Sequence, residues 1–408
     1  MSSVRVTTNF RDNNGTDLGD KLVTKDYLIS VYPGIGQQIG IPPELWIWGD
    51  GGSGKLGIGG GTVDRPTPVN TFAGGTNWKQ VSAGGDSTAA IKTDGTLWTW
   101  GSNTSAGKLG INTTVFSCST PVTTFAGGTN WKQGSVSRSS HTAAVKTDGT
   151  LWIWGDGGFG PLGTNDSTVK LTPVTTFAGG TNWKQVSCGG NCTAAIKTDG
   201  TLWTWGNGSS GRLGTNATTS VSTPVTTFAG GTNWKQVNGH RDYMTAIKTD
   251  GTLWAWGNGG FGQLGTNDTI TRSTPVTTFA GGTNWKQVSG GDFSTVAIKT
   301  DGTLWTWGDG GSGRLGTNAT TRVSTPVTTF AGGTNWKQVS SGGYHIAAIK
   351  TDGTLWVWGP GGDGKLGTND TITRSTPVTT FAGGTDWKQV SAGFSHTSAI
   401  KSVDFSLF

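Results

Sequence analysis

A block of about 51 residues returns seven times along this chain, and no other feature restricts its fold so tightly. The marker Leu-Trp-x-Trp-Gly stands at 45–49, 97–101, 151–155, 202–206, 253–257, 304–308 and 355–359, with steps of 52, 54, 51, 51, 51 and 51 residues. A second marker, Trp-Lys-Gln, begins at Trp78, Trp131, Trp183, Trp234, Trp285, Trp336 and Trp387. Together the two markers use all 21 tryptophans, so none is left for a site outside the repeat. A unit this short cannot bury its apolar face alone. It must stack on its neighbours as a rod or a ring.

Each unit reads as four short strands. In the copy beginning at Trp131, Trp131-Lys-Gln starts the first strand and His141-Thr-Ala-Ala-Val-Lys146, small and β-branched, forms the second. Asp148-Gly149 between two apolar runs predicts a tight hairpin, because a two-residue turn requires positive φ. Leu151-Trp-Ile-Trp154 is the third strand, and a glycine-rich loop follows from Gly155 to Gly163. Thr172-Pro-Val-Thr-Thr-Phe177 is the fourth, and its proline belongs on a sheet edge, where no ladder hydrogen bond is lost. Four antiparallel strands in such a length make one propeller blade. Leu97 and Thr99 face one way and Trp98 and Trp100 the other, as a blade covered on both faces requires. Small residues at Ser82, Ala83, Gly84 and Gly85 suit the strand nearest the axis.

The ends decide between ring and rod. The chain enters the repeat at a third strand, Leu45-Trp-Ile-Trp48, and leaves after a second, His396-Thr-Ser-Ala-Ile-Lys401. Pairing these two strands completes a seventh blade and removes both exposed edges. The expected fold is therefore all-β, a seven-bladed β-propeller of four-stranded antiparallel blades closed by its N- and C-terminal strands. Residues 1–44 form an N-terminal arm outside the repeat, 45–401 the propeller and 402–408 a tail. Within the arm, the alternation from Val4 to Phe10 reads as a strand, and Gly34-Ile35-Gly36 and Pro42-Pro43 break regular structure. The arm is too short to bury a core, and either lies on the ring or anchors it to something larger.

Composition narrows the function. The net charge of +6 comes largely from lysines repeated evenly around the units, which is not the clustered patch that nucleic acid requires. No run approaches a membrane span, and MSSVRVTTNFRDNNG carries no secretory signal, so a soluble location is expected. Cys188 and Cys192 stand where the first copy has Ala83 and Ser87, and two thiols without His or Cys partners make no zinc site.

The pattern Gly-x-x-His-Thr-x-Ala-Ile-Lys-x-Asp-Gly-x-Leu-Trp-x-Trp-Gly-loop-Gly-x-Leu-Gly resembles the repeat of the regulator of chromosome condensation family over 45–401. That resemblance implies a seven-bladed propeller. Nuclear members of the family exchange nucleotide on a small GTPase through an inserted wedge and acidic and histidine-bearing loops. Here no long insertion interrupts the blades, and the family's His position reads Ser87, His141, Cys192, Tyr243, Ser294, His345 and His396. With its short arm, the repeat also resembles propellers of bacterial and tailed-phage structural proteins.

No catalytic residue, cofactor or metal site is expected. His141, His345 and His396 occupy equivalent places in separate blades with Ser, Thr and Ala beside them, which predicts local hydrogen bonding within a blade. His240, off that position, reads as a surface variation. The recurrent Asp94, Asp148, Asp199, Asp250, Asp301 and Asp352 read as turn residues. The glycine-rich loop after Trp48 opens no helix and so cradles no phosphate. Within that loop one place varies as Ser53, Phe159, Phe261, Ser312 and Asp363, which makes Phe159, Phe261 and Asp363 candidate partner contacts. The structural signature is Trp46, Trp48, Trp98, Trp100, Trp152, Trp154, Trp203, Trp205, Trp254, Trp256, Trp305, Trp307, Trp356 and Trp358. The expected function is a non-enzymatic interaction module, displayed on a larger assembly through residues 1–44 and binding protein subunits. A virion, as a decoration or fibre component contacting a host surface, is the setting that the phage resemblance implies. The alternatives are a soluble regulator of a small GTPase and a glycan-binding propeller.

Overall fold

The computed structural model describes residues 43–72, 77–104 and 107–402, together with the short antiparallel strands Ser3–Val4 and Val23–Thr24, in which Ser3 faces Thr24 and Val4 faces Val23. The remainder of the arm and the tail beyond Ser402 lie outside the described residues. Pro43–Lys401 form one compact unit. The expected strand from Val4 to Phe10 is described only at Val4.

Within Pro43–Lys401, seven four-stranded antiparallel sheets each run from an inner strand that begins at Trp-Lys-Gln to an outer strand that carries the proline. Blade 1 joins both ends of the repeat: Trp387–Ala392, His396–Lys401, Glu44–Gly49 and Arg65–Asn70. The closing pair runs in unbroken register, from Glu44 opposite Lys401 through Trp46 opposite Ala399 to Gly49 opposite His396. Blades 2 to 7 follow in chain order, with inner strands starting at Trp78, Trp131, Trp183, Trp234, Trp285 and Trp336. The ring is closed as the strand count requires.

The core lies between blades. Ala89, Ile91 and Leu97 on one face of blade 2 pack against Trp131, Ala144 and Trp154 of blade 3, and the same contact recurs around the ring. Inside each blade the inner-strand Trp meets both tryptophans of the third strand edge-to-face. Trp131 lies 6.1 Å from Trp152 and 6.4 Å from Trp154, centroid to centroid. Such pairs add ~1 kcal/mol beyond the area they bury. Lys146 ends the second strand with its ammonium 4.6 Å and 4.4 Å from the Trp131 and Trp152 rings, which gives the lysine of Ile-Lys a reason to recur.

No backbone ladder runs from blade to blade. Beside single backbone bonds such as Gly190 N–H to the His240 carbonyl, side chains join the inner strands. Gln133 Nε2 donates to the Val186 carbonyl of the next blade at 2.7 Å, and its Oε1 accepts from the Val186 N–H at 3.0 Å. Ser135 Oγ accepts the Cys188 N–H at 2.9 Å. A glutamine of Trp-Lys-Gln reaches the next inner strand at all seven junctions, including Gln389 to Val81 across the closure. The third-strand tryptophans add another stitch. Trp154 Nε1 donates to the Lys108 carbonyl in the preceding blade's loop at 2.9 Å. The glycine of Gly-x-Leu-Gly makes room for that indole: at Gly163, with φ +64°, a Cβ would lie 2.8 Å from Trp205 Nε1.

The hairpin forms where the sequence places it, but its loop has three residues, Thr147-Asp148-Gly149. The Lys146 N–H donates to the Thr150 carbonyl, the Gly149 N–H donates to the Lys146 carbonyl, and only Gly149 takes positive φ, at +79°. Asp148 Oδ1 accepts from the Thr150 N–H at 2.9 Å and from its hydroxyl at 2.7 Å, and these bonds hold the carboxyl below its ordinary range. The glycine-rich loops open no α-helix and make only single 3-10 turns such as Gly52–Gly54.

Candidate functional site

Because the strands alternate, two kinds of loop share one end of the ring: those joining inner to second strands, near the axis, and those joining third to outer strands, further out. Asp309 N–H donating to the Phe293 carbonyl at 2.9 Å shows the two kinds touching. At this mouth the seven blades cease to be alike. Where other copies carry glycine, serine or another small residue, blades 3, 5, 6, 7 and 1 present Arg138, Arg241, Asp292-Phe293, Tyr344 and Phe394.

Those residues assemble into one arc. Phe261 packs on Phe293 with centroids 4.7 Å apart, Phe293 on Tyr344 at 6.1 Å, and Tyr344 on Phe394 at 5.1 Å. Arginines lie over the rings: Arg138 over Phe394 at 4.3 Å, Arg322 over Phe261 at 5.1 Å, and Arg314 over Tyr344 at 5.3 Å. All four aromatic residues are half-buried, held by neighbours yet open to solvent on one side. Arg138 also crosses the axis to Asp292, three blades away, at 2.9 Å. Asp292 is almost fully buried, and that burial pushes its carboxyl up to about 6 even though Arg138, Arg241 and Arg314 pull the other way. Beside it, Asp242 pairs with Arg212 at 2.9 Å and with Arg241 at 3.2 Å. On the axis a cavity of about 100 Å³ is lined by residues of all seven inner strands and the loops that follow them.

The histidines serve a different purpose. His141 Nε2 meets Thr193 Oγ1 of the next blade at 2.9 Å, and His345 and His396 do the same with Thr397 and Thr88 at 2.7 and 2.9 Å. Each of these threonines donates its own hydroxyl to a loop carbonyl of the blade carrying that histidine, Thr193 to Pro161 at 2.7 Å for example, so it must accept from the imidazole N–H. The bond therefore crosses between blades, where the sequence suggested one within a blade. His240 is not a surface variation either. It is buried, stacks 4.4 Å from Tyr243 and bonds Thr245 at 2.9 Å. Burial lowers all four imidazoles to about 3, so they are neutral hydrogen-bonding parts of the wall. Tyr243, filling the His position of blade 5, donates to the Ser294 carbonyl at 2.8 Å, and Gly290 permits it, since a Cβ there would sit 2.1 Å from the phenol oxygen.

The three contact residues read from sequence stand on outer loops of separate blades and are not brought together. Phe159 is 55% exposed in blade 3, and Asp363 of blade 7, at φ 62°, pairs with Lys365 at 3.5 Å. Phe261 joins the arc, packing on Phe293 of the following blade. Sequence reasoning missed Arg138, Arg241, Asp292, Phe293, Tyr344 and Phe394. The signal was present in the residues just ahead of the family's His position, where the repeat changes most in size and charge. Cys188 and Cys192 are buried and their thiols are pushed up to about 12 and about 11, which leaves them as packing residues. Among the described residues no cluster of His, Cys, Asp or Glu is placed to hold a metal ion, and no helix is long and apolar enough to cross a membrane.

Known proteins agree with this architecture. The Ultraviolet-B receptor UVR8 of Arabidopsis thaliana is 31% identical over 277 residues, covering 67% of this chain and 62% of that protein. The E3 ubiquitin-protein ligase HERC2 of Homo sapiens is 30% identical over 377 residues, 87% of this chain but 8% of its own length. The Regulator of chromosome condensation of Xenopus laevis is 25% identical over 390 residues, 88% of each chain. Among solved structures, human WBSCR16 superposes with a TM-score of 0.78 at 20% identity, covering 88% of this chain and 99% of its own. Prp20p of Saccharomyces cerevisiae, studied for its binding to Gsp1p and histones, gives 0.77 at 18%, covering 90% and 94%. Both likenesses speak to fold. Residues 44–399 match the family described as RCC1-like domain, and the chain belongs to that family.

Proposed function

We propose that this chain is a non-catalytic protein-interaction module that receives its partner on the mouth bearing the Phe261–Phe293–Tyr344–Phe394 arc. The observation that carries this reading is the break in symmetry. The blades repeat almost residue for residue through the core, and the aromatic and arginine substitutions gather at one end, the aromatics on the contiguous blades 5, 6, 7 and 1. Half-buried aromatics with stacked arginines are what energetically dominant interface positions are made of. The buried neutral histidines, each tied to a threonine, support a structural role for the groups most able to do acid–base chemistry. A double variant, Phe293→Ser with Tyr344→Ser, should stay folded and lose its partner at least tenfold. A variant at the opposite end, such as Thr201→Ala, should not. Equal binding by all of them would contradict the assignment.

Regulation of a small GTPase is the second reading, favoured by the similarity to the Regulator of chromosome condensation along nearly the whole of both chains. Nucleotide release from a panel of small GTPases, accelerated by the intact chain and not by the Phe293→Ser/Tyr344→Ser variant, would establish it. For residues 1–44 the proposal is attachment to a larger assembly, a virion among them. It rests on the repeat style and on the arm's lying outside the repeat. Deleting residues 1–42 should leave a folded ring that no longer assembles, and normal assembly would refute the anchor.

A further inference from the structure

The mouth has a second level of organisation. Just inside it, backbone bonds link the ends of neighbouring inner strands into a hoop: Gly85 to Ser137, Gly190 to His240, Asp292 to Gly343, Gly343 to Gly393 and Phe394 to Gly84. The hoop is open at two junctions, between blades 3 and 4 and between blades 5 and 6. The second residues beyond the inner strand at those two gaps are Arg138 and Arg241. Both line the axial cavity of about 100 Å³, as does Ser341, whose buried hydroxyl has no hydrogen-bond partner. Only Asp292 stands among them with a negative charge on the cavity wall, paired to Arg138 at 2.9 Å.

We propose that the axial cavity accepts one carboxylate side chain of a partner polypeptide, held between Arg138 and Arg241, and that Asp292 yields its place beside Arg138 as the carboxylate enters. The inference rests on the reading of this mouth as the partner surface and names the chemistry the partner must bring. At about 100 Å³ the cavity has room for a carboxylate with its adjoining methylenes. A dianion such as phosphate is disfavoured because Arg241 already shares its charge with Asp242 at 3.2 Å. The groups facing Asp292 are Arg138 from blade 3, Arg241 and Asp242 from blade 5 and Arg314 from its own blade, with blade 5's Tyr243 and His240 uncharged in the same wall. Burial already brings the Asp292 carboxyl up to about 6, so a second carboxylate drives it to take up a proton instead of leaving two anions together. Serine at 341 offers the incoming oxygen a donor.

The test uses the intact chain and blocked peptides, acetyl-(Gly-Glu)4-amide, its glutamine counterpart and its phosphoserine counterpart, followed by titration calorimetry at pH 7. The glutamate peptide should bind at least tenfold tighter than the glutamine peptide and no weaker than the phosphoserine one. Heats in buffers of different ionisation enthalpy should report uptake of nearly one proton. Arg138→Gln and Arg241→Gln should each weaken binding about tenfold, while Asp292→Asn should retain binding and abolish the proton uptake. Equal binding of glutamate and glutamine peptides, tighter binding of the phosphoserine peptide, or indifference to both arginine variants would each overturn the proposal. Should Phe293→Ser/Tyr344→Ser lose the natural partner while Arg138→Gln and Arg241→Gln keep it, the mouth reading stands and the carboxylate falls.

Discussion

At the scale of single residues, the fold depends on polar side chains that do what a backbone ladder cannot. Gln185 shows this: it donates to the Val237 carbonyl at 2.9 Å and accepts from the Val237 N–H at 3.2 Å. Gln185→Ala leaves both backbone groups between blades without partners, and we expect a loss of about 2–3 kcal/mol by urea denaturation. The buried histidines set the response to acid. Their folded-state values near 3 lie below the unfolded value of about 6.5, so the folded chain binds fewer protons. Their contribution is fully present above about pH 6.5 and is lost as pH falls toward 3, at about 2 kcal/mol per histidine by pH 5. Asp292 has the opposite sign. Raised to about 6, it favours the fold below about pH 4 and loses that contribution as pH climbs through 6. Four histidines outweigh one aspartate, so stability should fall between pH 6.5 and 4. His141→Ser, the residue blades 2 and 6 already carry, should reduce proton uptake on acid unfolding by about one. An unchanged slope would show that His141 titrates normally.

At the scale of the blade, glycines divide into two kinds that the sequence does not separate. Gly163 lies under the Trp205 indole at φ +64°, with 2.8 Å to a would-be Cβ, whereas Gly179, at φ +54°, has nothing within 4 Å. Gly163→Ala must push the tryptophan from the Pro161 carbonyl and should cost roughly 3 kcal/mol or more, against about 1 kcal/mol for Gly179→Ala, which meets only the backbone penalty. Thermal denaturation of the pair separates packing from conformational preference. Strand order, the Asp-Gly hairpins and the edge prolines were legible in sequence because each is enforced by a local rule repeated seven times. The glutamine, serine and histidine bridges were not, since their partners lie about 52 residues away and only the ring brings them near.

For the whole molecule, the same repetition explains what sequence reading found and what it missed. Seven concordant copies made the architecture plain and made differences between copies look like noise. The arc and its arginines are built from one or two substitutions in each of five blades, at Arg138, Arg241, Asp292 with Phe293, Tyr344 and Phe394, and closing the circle turns them into neighbours. Phe261 stands out in the sequence because its loop position varies visibly, but its packing on Phe293 of the next blade cannot be read from spacing. The mouth, the hoop of backbone bonds and the Arg138–Asp292 bridge across the axis all require that the ends of the repeat meet.

That requirement can be measured in one variant. With Cys118, Cys188 and Cys192 replaced by Ser, Ala and Ser, cysteines at Glu44 and Lys401 stand opposite each other in the closing pair of strands. Mild oxidation of dilute protein should give a monomer with an internal disulfide that closes the chain across nearly its whole repeat, and the urea midpoint should rise. Two freely reactive thiols that form no internal bond, or only cross-linked dimers, would mean that the ring is open and that the mouth does not exist as described.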